Sequence, residues 1–397
     1  MRPNVHFCVL GWLLVAALPS VAVGQTVRKV PSGGSIQAAV AVSRPGDVIL
    51  LTAGGSYGGF TLDSKAVSVV CDGSPADIFS AVIVKNLLPN QNVILRGLRV
   101  NWYAVSIPPL QLLSNAGSVW VEDCAAYGDG YDVYLTAGAV ISACASVNLR
   151  GCRFEGAPGY YTGTPYSIQG QPGLVVSSST VNITDTLCLG GAGGPIGLGG
   201  CGVSGGGGGA SVTNSLLFAS GTTFRGGNGG KKSGCTNQGH GGDGFTSSGS
   251  QVFTIGCVFL GGSVDGAGIS GDPVLQRPGT ARSFSVSSPV REQQPVALDF
   301  AGIPGEQTGL LASGAPIAPL FFADLRGALV VDLALADALL TGPIGSDGVL
   351  HSSLTVPTLP SSVEGLTFYL QSFFFDLTVP HAALGPASSL VLLDSSL

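Results

Sequence analysis

The eight-residue stretch Val147-Asn-Leu-Arg-Gly-Cys-Arg-Phe154 recurs along the chain in five other copies, which align with it without gaps. The six copies begin at residues 93, 119, 147, 181, 217 and 252. Spacings of this size are typical of proteins in which one structural unit stacks on the next. The other copies are Val93–Val100, Val119–Ala126, Val181–Cys188, Leu217–Phe224 and Val252–Phe259.

The fifth place of the repeat holds only Gly or Asp. Both residue types enter the left-handed backbone conformation more readily than bulkier residues do. The column therefore predicts a sharp bend between two short strands in every copy. Its members are Gly97, Asp123, Gly151, Asp185, Gly221 and Gly256.

The sixth and eighth places alternate with more exposed positions, as in a strand that buries one face. Stacked about 4.8 Å apart, their side chains would form ladders inside a coil. The repeat therefore predicts an all-β fold, a parallel β-helix. The predicted ladders are Leu98, Cys124, Cys152, Thr186, Thr222 and Cys257 at the sixth place, and Val100, Ala126, Phe154, Cys188, Phe224 and Phe259 at the eighth.

Three segments ahead of the repeat, Ser35–Val42, Arg44–Leu51 and Ser56–Phe60, resemble the opening of secreted right-handed parallel β-helix proteins of the pectin-lyase-like superfamily. The resemblance implies that a short helix covers the open end of the coil and that a Pro-Gly-Asp turn leads into the first rung. Ser35 is a suitable N-cap for such a helix. We expect the β-helix to span residues 25–271.

Residues 272–397 lack the glycine-rich repeat and carry longer alternating stretches separated by Pro and Gly. This pattern predicts a small antiparallel β-sandwich-like module. Gly365–Gln371, followed by Asp376, is similar to C-terminal β modules of secreted bacterial proteins. The predicted strands are Ser283–Ser287, Val296–Phe300, Ala328–Leu335, Leu350–Val356, Leu366–Phe375 and Ser389–Leu393.

Residues 1–24 read as a cleaved signal peptide, with Arg2 before the apolar run Phe7–Leu18 and small residues at its end. We therefore expect a secreted or cell-surface protein with no transmembrane span in the mature chain. A formal net charge of −6 disfavours nucleic acid as a partner. Extracellular polysaccharide or other cell-surface components are the expected partners.

The fourth place carries charges in three successive copies: Arg96, Glu122 and Arg150. An arginine on the outside of a β-helix could serve as the base of a lyase or bind the carboxylate of a uronic acid. Opposite charges on adjacent strands could instead form a stabilising ladder. We favour the ladder because the glutamate lies between the two arginines.

Asp129, Asp132 and Glu155 are weak candidates for a catalytic site, because glycoside hydrolysis needs two carboxylates that face one groove. Asp129 and Asp132 are also weak candidates for a Ca²⁺ site, which prefers carboxylate oxygens. No other cofactor is expected. Asp123 lies in the bend column, and Asp129 precedes Gly130, so turn roles are the simpler interpretation of both.

Two glycine-rich connections lie between Leu189 and Phe245. His240 and Asp243 could form an acid–base pair there, and the connections could wall a glycan groove. We favour flexible surface excursions. Lys231 does not complete a phosphate-binding loop, because it stands where that motif needs glycine. Cys201 and Cys235 could join the two connections as a disulfide, whereas the cysteines of the repeat are expected to behave as small interior hydrophobes.

Three functions remain open on the sequence alone. The first is a secreted β-helix protein that associates with carbohydrate or is structural, without an evident catalytic site. The second is a polysaccharide lyase or glycoside hydrolase that uses the outer groove of the coil. The third is an adhesive or structural surface protein. Only 10% of the residues are charged, which disfavours the dense charged cluster of an enzyme.

Overall fold

The computed structural model describes residues 25–101, 107–129, 135–159, 168–194, 204–231, 238–321, 326–376 and 382–397. These residues divide into two compact units. The first comprises Arg28–Ala281 together with Ala318–Phe321. The second comprises residues 25–27 and the remaining described residues from Arg282 onward.

The first unit is a right-handed parallel β-helix built from three parallel sheets, and its strands are numbered here in chain order. Sheet I contains β1 (Val27–Val30), β2 (Val48–Thr52), β5 (Ser68–Asp72), β8 (Asn92–Arg96), β11 (Ser118–Glu122), β14 (Ser146–Arg150), β17 (Thr180–Thr184), β20 (Leu216–Ser220), β23 (Gln251–Ile255) and β26 (Leu275–Arg277). Sheet II contains β4 (Phe60–Asp63), β7 (Val82–Lys85), β10 (Leu110–Leu113), β13 (Ala139–Ser142), β16 (Leu174–Ser177), β19 (Ala210–Thr213), β22 (Phe245–Ser248) and β25 (Ile269–Gly271). Sheet III contains β3 (Ser56–Tyr57), β6 (Ala76–Ile78), β9 (Leu98–Asn101), β12 (Ala125–Tyr127), β15 (Arg153–Glu155), β18 (Leu187–Leu189), β21 (Thr223–Arg225) and β24 (Val258–Leu260).

Each rung runs from sheet II through sheet I to sheet III, and the predicted register is confirmed. Val147 pairs with Val119 on one side and with Val181 on the other. Leu217 continues the column to Val252. The sixth- and eighth-place side chains enter one continuous apolar core, with Cys257 and Phe259 partly buried at its end. Sheet I continues through β26, beyond the predicted boundary after Gly271.

A short helix, α1 (Ile36–Val42), packs on the N-terminal part of the coil, as the resemblance implied. The Ser35 Oγ accepts a hydrogen bond from the Ala38 amide at 3.1 Å, which is the N-cap contact. Ile36 and Val40 are buried in the coil core. This short amphipathic helix of about two turns shields the apolar interior from solvent.

The bend column adopts the predicted left-handed conformation, with φ between 49° and 69° at all six positions. Asp and Gly alternate there for a steric reason. A Cβ added to Gly151 would lie 2.7 Å from the Oδ1 of Asp123. The same distance separates a Cβ on Gly221 from the Oδ1 of Asp185. An aspartate on one rung thus occupies the space that a side chain on the next rung would need.

The sixth-place cysteines do more than fill space, because each polar member of the ladder hydrogen-bonds the bend. The Cys152 Sγ donates to the Arg150 carbonyl at 3.4 Å, and the Thr186 Oγ1 donates to the Thr184 carbonyl at 2.9 Å. The Cys152 amide in turn donates to the Thr186 Oγ1 at 3.3 Å. Thiol and hydroxyl are therefore interchangeable here because both satisfy the buried backbone of a tight bend.

The expectation of flexible glycine-rich excursions is wrong for their described residues, which form an ordered hydrogen-bonded bundle, here called the glycine array. It contains outgoing segments after sheet III and returning segments before sheet II. Amides cross between them in a continuous chain of bonds of 2.8–2.9 Å. The chain runs from Gly262 to Gly242, Gly227, Gly207, Gly191, Gln171 and Ala157.

The glycine array has a period of three residues. Gly190 and Gly193 donate to the next rung, at Arg225 and Asn228, whereas the intervening Gly191 donates across the array. A three-residue period is that of polyproline II-type helices. The third residue of each triplet needs no amide partner in the array, and proline occupies that place at Pro158.

The second unit is a mostly antiparallel β-sandwich. One sheet has the order β27-β29-β34 and the other β28-β36-β35-β30-β33. Phe300 of the smaller sheet lies 5.0 Å from Phe284 beside it and 6.4 Å from Phe374 of the larger sheet, between ring centroids. The strands after the coil are β27 (Ser283–Val286), β28 (Val290–Arg291), β29 (Pro295–Ala301), β30 (Gln307–Ser313), β31 (Pro316–Phe321), β32 (Ala328–Val331), β33 (Ala336–Pro343), β34 (Val349–Thr355), β35 (Gly365–Phe375) and β36 (Ala382–Leu393), and of these only Ala318–Phe321 of β31 belongs to the first unit.

The predicted strand Ala328–Leu335 ends early in this unit. The chain leaves the strand after Val331 and forms a 3-10 turn, Leu333–Leu335. Asp332 caps that turn, since its Oδ1 accepts a hydrogen bond from the Ala334 amide at 2.9 Å. The apolar alternation continued through the segment, but the aspartate cap ended the strand.

Candidate functional site

The outward face of sheet III carries a row of charged side chains and one tyrosine. Strand alternation places the seventh and ninth positions of each repeat on this face. Six rungs spaced about 4.8 Å apart give it a length of about 24 Å. The two columns are Arg99, Ala125, Arg153, Leu187, Thr223 and Val258 at the seventh place, and Asn101, Tyr127, Glu155, Leu189, Arg225 and Leu260 at the ninth.

A hydrogen-bonded group occupies the N-terminal end of this face. The Arg99 Nε donates to the Asp77 Oδ1 at 2.5 Å, and the Asn101 Nδ2 donates to the same oxygen at 3.0 Å. The hydrogen bond to Asp77 and its charge raise the pKa of Arg99. One oxygen of Asp77 therefore accepts hydrogen bonds from two neighbouring side chains.

Tyr127, Arg153 and Glu155 form the central group of the face. The Arg153 guanidinium carbon lies 6.0 Å from the centroid of the Tyr127 ring, within cation–π range. The same guanidinium donates to the Glu155 Oε2 at 2.9 Å. Side chains of Arg153 and Glu155 are 46% and 40% exposed, so both can reach a ligand.

Beyond Glu155 the face opens into a cleft of about 280 Å³. Glu155, Leu189 and Arg225 follow one another on successive rungs along it. The Arg225 side chain is exposed and makes no hydrogen bond or ion pair with another residue in the described part of the chain, although its backbone carbonyl accepts a bond from the Gly190 amide. It is a guanidinium on an open cleft with its five donors available.

The glycine array extends the cleft on the side away from sheet III. Only the third residue of each outgoing triplet points a side chain to the surface, because the two glycines are enclosed by neighbouring backbone. Pro158, Ala192 and Asn228 hold these places, are exposed, and line the cleft. The Asn228 Oδ1 accepts a hydrogen bond from the Ser263 amide at 3.0 Å, which fixes its amide group. The wall is therefore rigid backbone with a sparse row of small side chains.

The predicted Arg96–Glu122–Arg150 ladder is present, and it is buried rather than open. The Glu122 Oε2 lies 2.9 Å from Arg96 and 3.4 Å from Arg150. Asp123 joins it, 3.0 Å from Arg96 and 2.8 Å from Arg150. Burial by itself lowers the pKa of Arg150, but the carboxylates of Glu122 and Asp123 outweigh it, so the pKa is raised. The structure gives Arg150 a role in the stack and no access to a groove.

The acidic candidates do not assemble into one site within the described residues. Glu155 lies on the face described above, and Asp129 is half-buried just beyond β12, where its amide donates to the Thr136 Oγ1 at 3.1 Å. Asp132 lies outside the described residues. Asp77 and Glu155 are three rungs apart, about 14 Å, which exceeds the separation of about 9.5 Å that an inverting glycosidase uses.

His240 and Asp243 do not pair with each other. The His240 Nδ1 lies 2.7 Å from the Oδ2 of Asp265, a residue that the sequence analysis did not single out. Asp243 accepts hydrogen bonds from the Ala267 amide at 2.9 Å and from the Ser270 hydroxyl at 2.5 Å. Its role is to tie a returning glycine segment to the last rung.

Cys201 and Cys235 lie outside the described residues. The described cysteines are free thiols, and most of them are buried. The described residues contain no group of three or more His, Cys, Asp or Glu that could hold a metal ion. None of the helices in the described ranges is long and apolar enough to cross a membrane.

Arg225 and Tyr127 were not among the site residues predicted from the sequence, although the sequence held a signal for both. Both are at the ninth place, one residue past the last interior position. Continuing the strand alternation one step would have aligned them with Glu155. The Gly-Gly-X triplets of the array, such as Gly190-Gly-Ala192 and Gly226-Gly-Asn228, were a second signal. Their period of three would have predicted ordered helices with one outward side chain per turn.

No protein-family model matches this sequence, and no curated protein matches it either. Two solved structures from bacteriophage CBA120 match in outline. The enzymatically active domain of tailspike protein 4 is 11% identical with a TM-score of 0.26, over 90% of this chain and 65% of that one, so this chain spans less than two thirds of it. The corresponding domain of tailspike protein 2 is 11% identical with a TM-score of 0.21, over 94% of this chain and 72% of that one. The β-helix assignment rests on the sheet pairing itself.

Proposed function

We propose that this is an exported β-helix protein, of pectin-lyase-like descent, that binds an acidic extracellular polysaccharide on the outward face of sheet III. The observation that carries the proposal is Arg225, an exposed guanidinium with no protein partner among the described residues, on a cleft shared with Glu155. A guanidinium binds a carboxylate through two parallel hydrogen bonds, which suits a uronic acid.

The neighbouring groups support a sugar ligand over a small anion. Tyr127 presents an aromatic side chain three rungs before Arg225, about 14 Å away along the face. Aromatic rings offer a flat apolar surface for the C–H face of a pyranose and a hydroxyl for its edge. Leu187 and Leu189 lie between the two groups and continue the apolar surface. A linear polymer could therefore contact several rungs at once.

Binding rather than catalysis is the proposed activity. Asp77 and Glu155, the carboxylates of the face, are each engaged by an arginine, Arg99 and Arg153 respectively. Neither side chain is paired with a second carboxylate at a catalytic separation. A binding surface needs no such pair, since affinity can accumulate from many weak contacts along a chain.

The test is isothermal titration of the purified mature chain with polygalacturonate and alginate oligomers, with neutral dextran as a comparison. Arg225→Ala should weaken binding of the acidic oligomers about tenfold or more, because it removes a charge-assisted contact. Tyr127→Ala should weaken it less. Arg44→Ala, which removes an exposed arginine far from this face, is the matched control and should leave affinity unchanged.

Two results would reject the proposal. One is equal loss of affinity in Arg225→Ala and Arg44→Ala, which would show only nonspecific attraction between charges. The other is release of unsaturated products or reducing ends from the acidic oligomers at a rate that Arg225→Ala abolishes. That outcome would establish the enzymatic alternative in place of a binding protein.

A further inference from the structure

A second concave surface lies on another side of the coil, at the bend between sheet II and sheet I. It is an open groove of about 700 Å³ that crosses four successive rungs. With rungs about 4.8 Å apart, the groove is about 14 Å long. It is lined by Ser114, Asn115, Ala116, Ala143, Cys144, Ala145, Ser178, Ser179, Thr180, Asn214 and Leu216.

The floor of this groove is a ladder of inward polar groups whose hydrogen bonds go to the protein. The Asn115 Nδ2 donates to the Val84 carbonyl at 2.9 Å, and the Ser179 Oγ donates to the Ser177 carbonyl at 2.7 Å. The Cys144 amide donates to the Ser179 Oγ at 3.0 Å. The floor is therefore fixed by the fold and does not change its bonding when a ligand enters.

The two rims differ in chemistry. The rim before the ladder carries Ser114, Ser178 and Asn214, which are exposed and whose side chains form no hydrogen bond to other described residues. The rim after the ladder carries Ala116, Ala145, Thr180 and Leu216, which are mainly apolar with one hydroxyl. The first rim thus offers free donors and acceptors, and the second offers a mainly apolar edge.

We propose that this groove binds an uncharged, linear oligosaccharide chain, with its sugar rings lying across successive rungs. No charged residue lines the groove, so an anionic or cationic ligand would leave its charge unpaired there, which disfavours it. A pyranose has hydroxyl groups at its edge and C–H groups on its faces, which matches one polar and one mainly apolar rim. The groove is straight and repeats at each rung, as a polymer ligand requires.

This site is independent of the acidic-polysaccharide face on sheet III. The two surfaces lie at different bends of each rung and share no lining residue. One surface carries arginines and carboxylates, whereas the other is neutral. Variants in one surface can therefore be tested for binding at the other, and failure of one proposal leaves the other measurable.

The experiment uses the mature chain and three neutral probes: cellohexaose, mannohexaose and maltohexaose. Saturation-transfer NMR and titration calorimetry should detect binding of at least one probe to the wild type. Ala145→Phe places a large ring in the groove and should reduce that affinity at least tenfold. Ala125→Phe introduces the same ring at an outward position of sheet III and should leave hexasaccharide affinity unchanged.

Two gentler variants each remove one hydroxyl from the groove, Ser178→Ala from the polar rim and Thr180→Ala from the opposite rim. Ser178→Ala copies the residue already present at Ala143 on the neighbouring rung, in the same left-handed conformation. Thr180→Ala likewise copies Ala145. Each should weaken hexasaccharide binding several-fold with no change in Tm, and neither should alter the binding of polygalacturonate.

Three results would overturn the proposal. The first is that none of the three hexasaccharides binds. The second is binding that survives Ala145→Phe undiminished. The third is concentration-dependent dimerisation of the wild type that Ala145→Phe abolishes while no sugar binds, because it would assign the groove to a second copy of the chain.

Discussion

The coil and the glycine array are built on the same rungs and solve the same packing problem in opposite ways. In the coil, side chains such as Phe154 and Leu149 fill the interior, and the backbone strands stay apart on its perimeter. In the array, most of the packed residues are glycines and backbone packs directly on backbone. A Cβ added to Gly207 would lie 2.1 Å from the Gln171 carbonyl oxygen. Close packing is therefore reached in the coil by side chains whose volumes fill the interior, and in the array by the absence of side chains at the glycines.

The difference explains why the two regions display function differently. The coil alternates inward and outward residues, so every rung offers positions for recognition on its surface. The array exposes one residue in three, and it supplies a rigid wall rather than contacts. The candidate cleft lies where the two meet, with Glu155 and Arg225 from the coil and Asn228 from the array.

The largest expected effect is the loss of an interior aromatic side chain from the coil. Phe154→Ala should lower the free energy of unfolding by about 3–5 kcal/mol, because it removes a fully buried ring and leaves a cavity. Urea denaturation followed by circular dichroism measures this. Arg153→Ala, its outward neighbour, should change stability by less than about 0.5 kcal/mol. Equal effects for the two would contradict the assignment of inward and outward faces.

The next largest loss of stability is expected when a single methyl group is added to the glycine array. Gly207→Ala should destabilise by about 1–3 kcal/mol or more, because the methyl must force two backbone segments apart. Gly208→Ala is the matched control, since its Cβ would lie 3.5 Å from the nearest atom, the Asp243 carbonyl oxygen. Amide hydrogen exchange at Gly227 and Gly242 would report the damage. Comparable melting curves for both variants would argue against the array.

Substitution in the bend column should have a smaller effect on stability, and part of that effect should depend on the residue at position 123. Gly151→Ala should destabilise by about 1–2 kcal/mol for its left-handed conformation, plus a clash with the Asp123 side chain. Gly97→Ala should have the same conformational cost without the clash with Asp123, because the atom nearest to its added Cβ is the Cys71 Cβ, at 3.1 Å. Asp123→Gly has a cost of its own, because it removes ion pairs to Arg96 and Arg150. In a double-mutant cycle it should nevertheless couple favourably with Gly151→Ala, whose clash it relieves, and should show no coupling with Gly97→Ala. If Asp123→Gly and Gly151→Ala show no coupling energy, the steric explanation of the bend column is wrong.

The smallest effect concerns alkaline pH. Burial raises the pKa of the Cys152 thiol from 9.0 to about 12 and that of Cys257 to about 11. Above pH 9 the unfolded chain loses these protons while the folded chain keeps them. Their contribution to stability is therefore complete below pH 9 and is lost as the pH rises through 11 to 12.

Cys152→Thr provides the comparison for that pH dependence. Threonine already serves at Thr186 and Thr222 in the same ladder, so the fold should accept it. Between pH 8 and pH 10.5, the variant should lose less stability than the wild type, as measured by urea denaturation. An identical pH dependence would show that the Cys152 thiol ionises as readily in the folded state as in the unfolded state.

Much of the coil could be predicted from the repeat because its physical causes are local. A left-handed bend favours Gly or Asp, and an inward strand position needs a side chain that fills a fixed volume. Both requirements can therefore be recognised in the sequence of each copy of the repeat. The Arg96–Glu122–Arg150 ladder was predictable for the same reason. The pairing of His240 with Asp265 was not, because the two residues are 25 positions apart and meet only when the last rung is in place.

The sequence by itself determined the number and register of the central rungs, the positions of their bends and the inward ladders, since each depends on residues within one copy. Only the tertiary structure decided what the glycine-rich segments do. A glycine triplet carries no side chain to specify a partner, and its order arises when backbone from neighbouring rungs supplies the hydrogen bonds. The same stacking brought Glu155, Arg225 and Asn228 to one cleft, and left a neutral groove at the opposite bend.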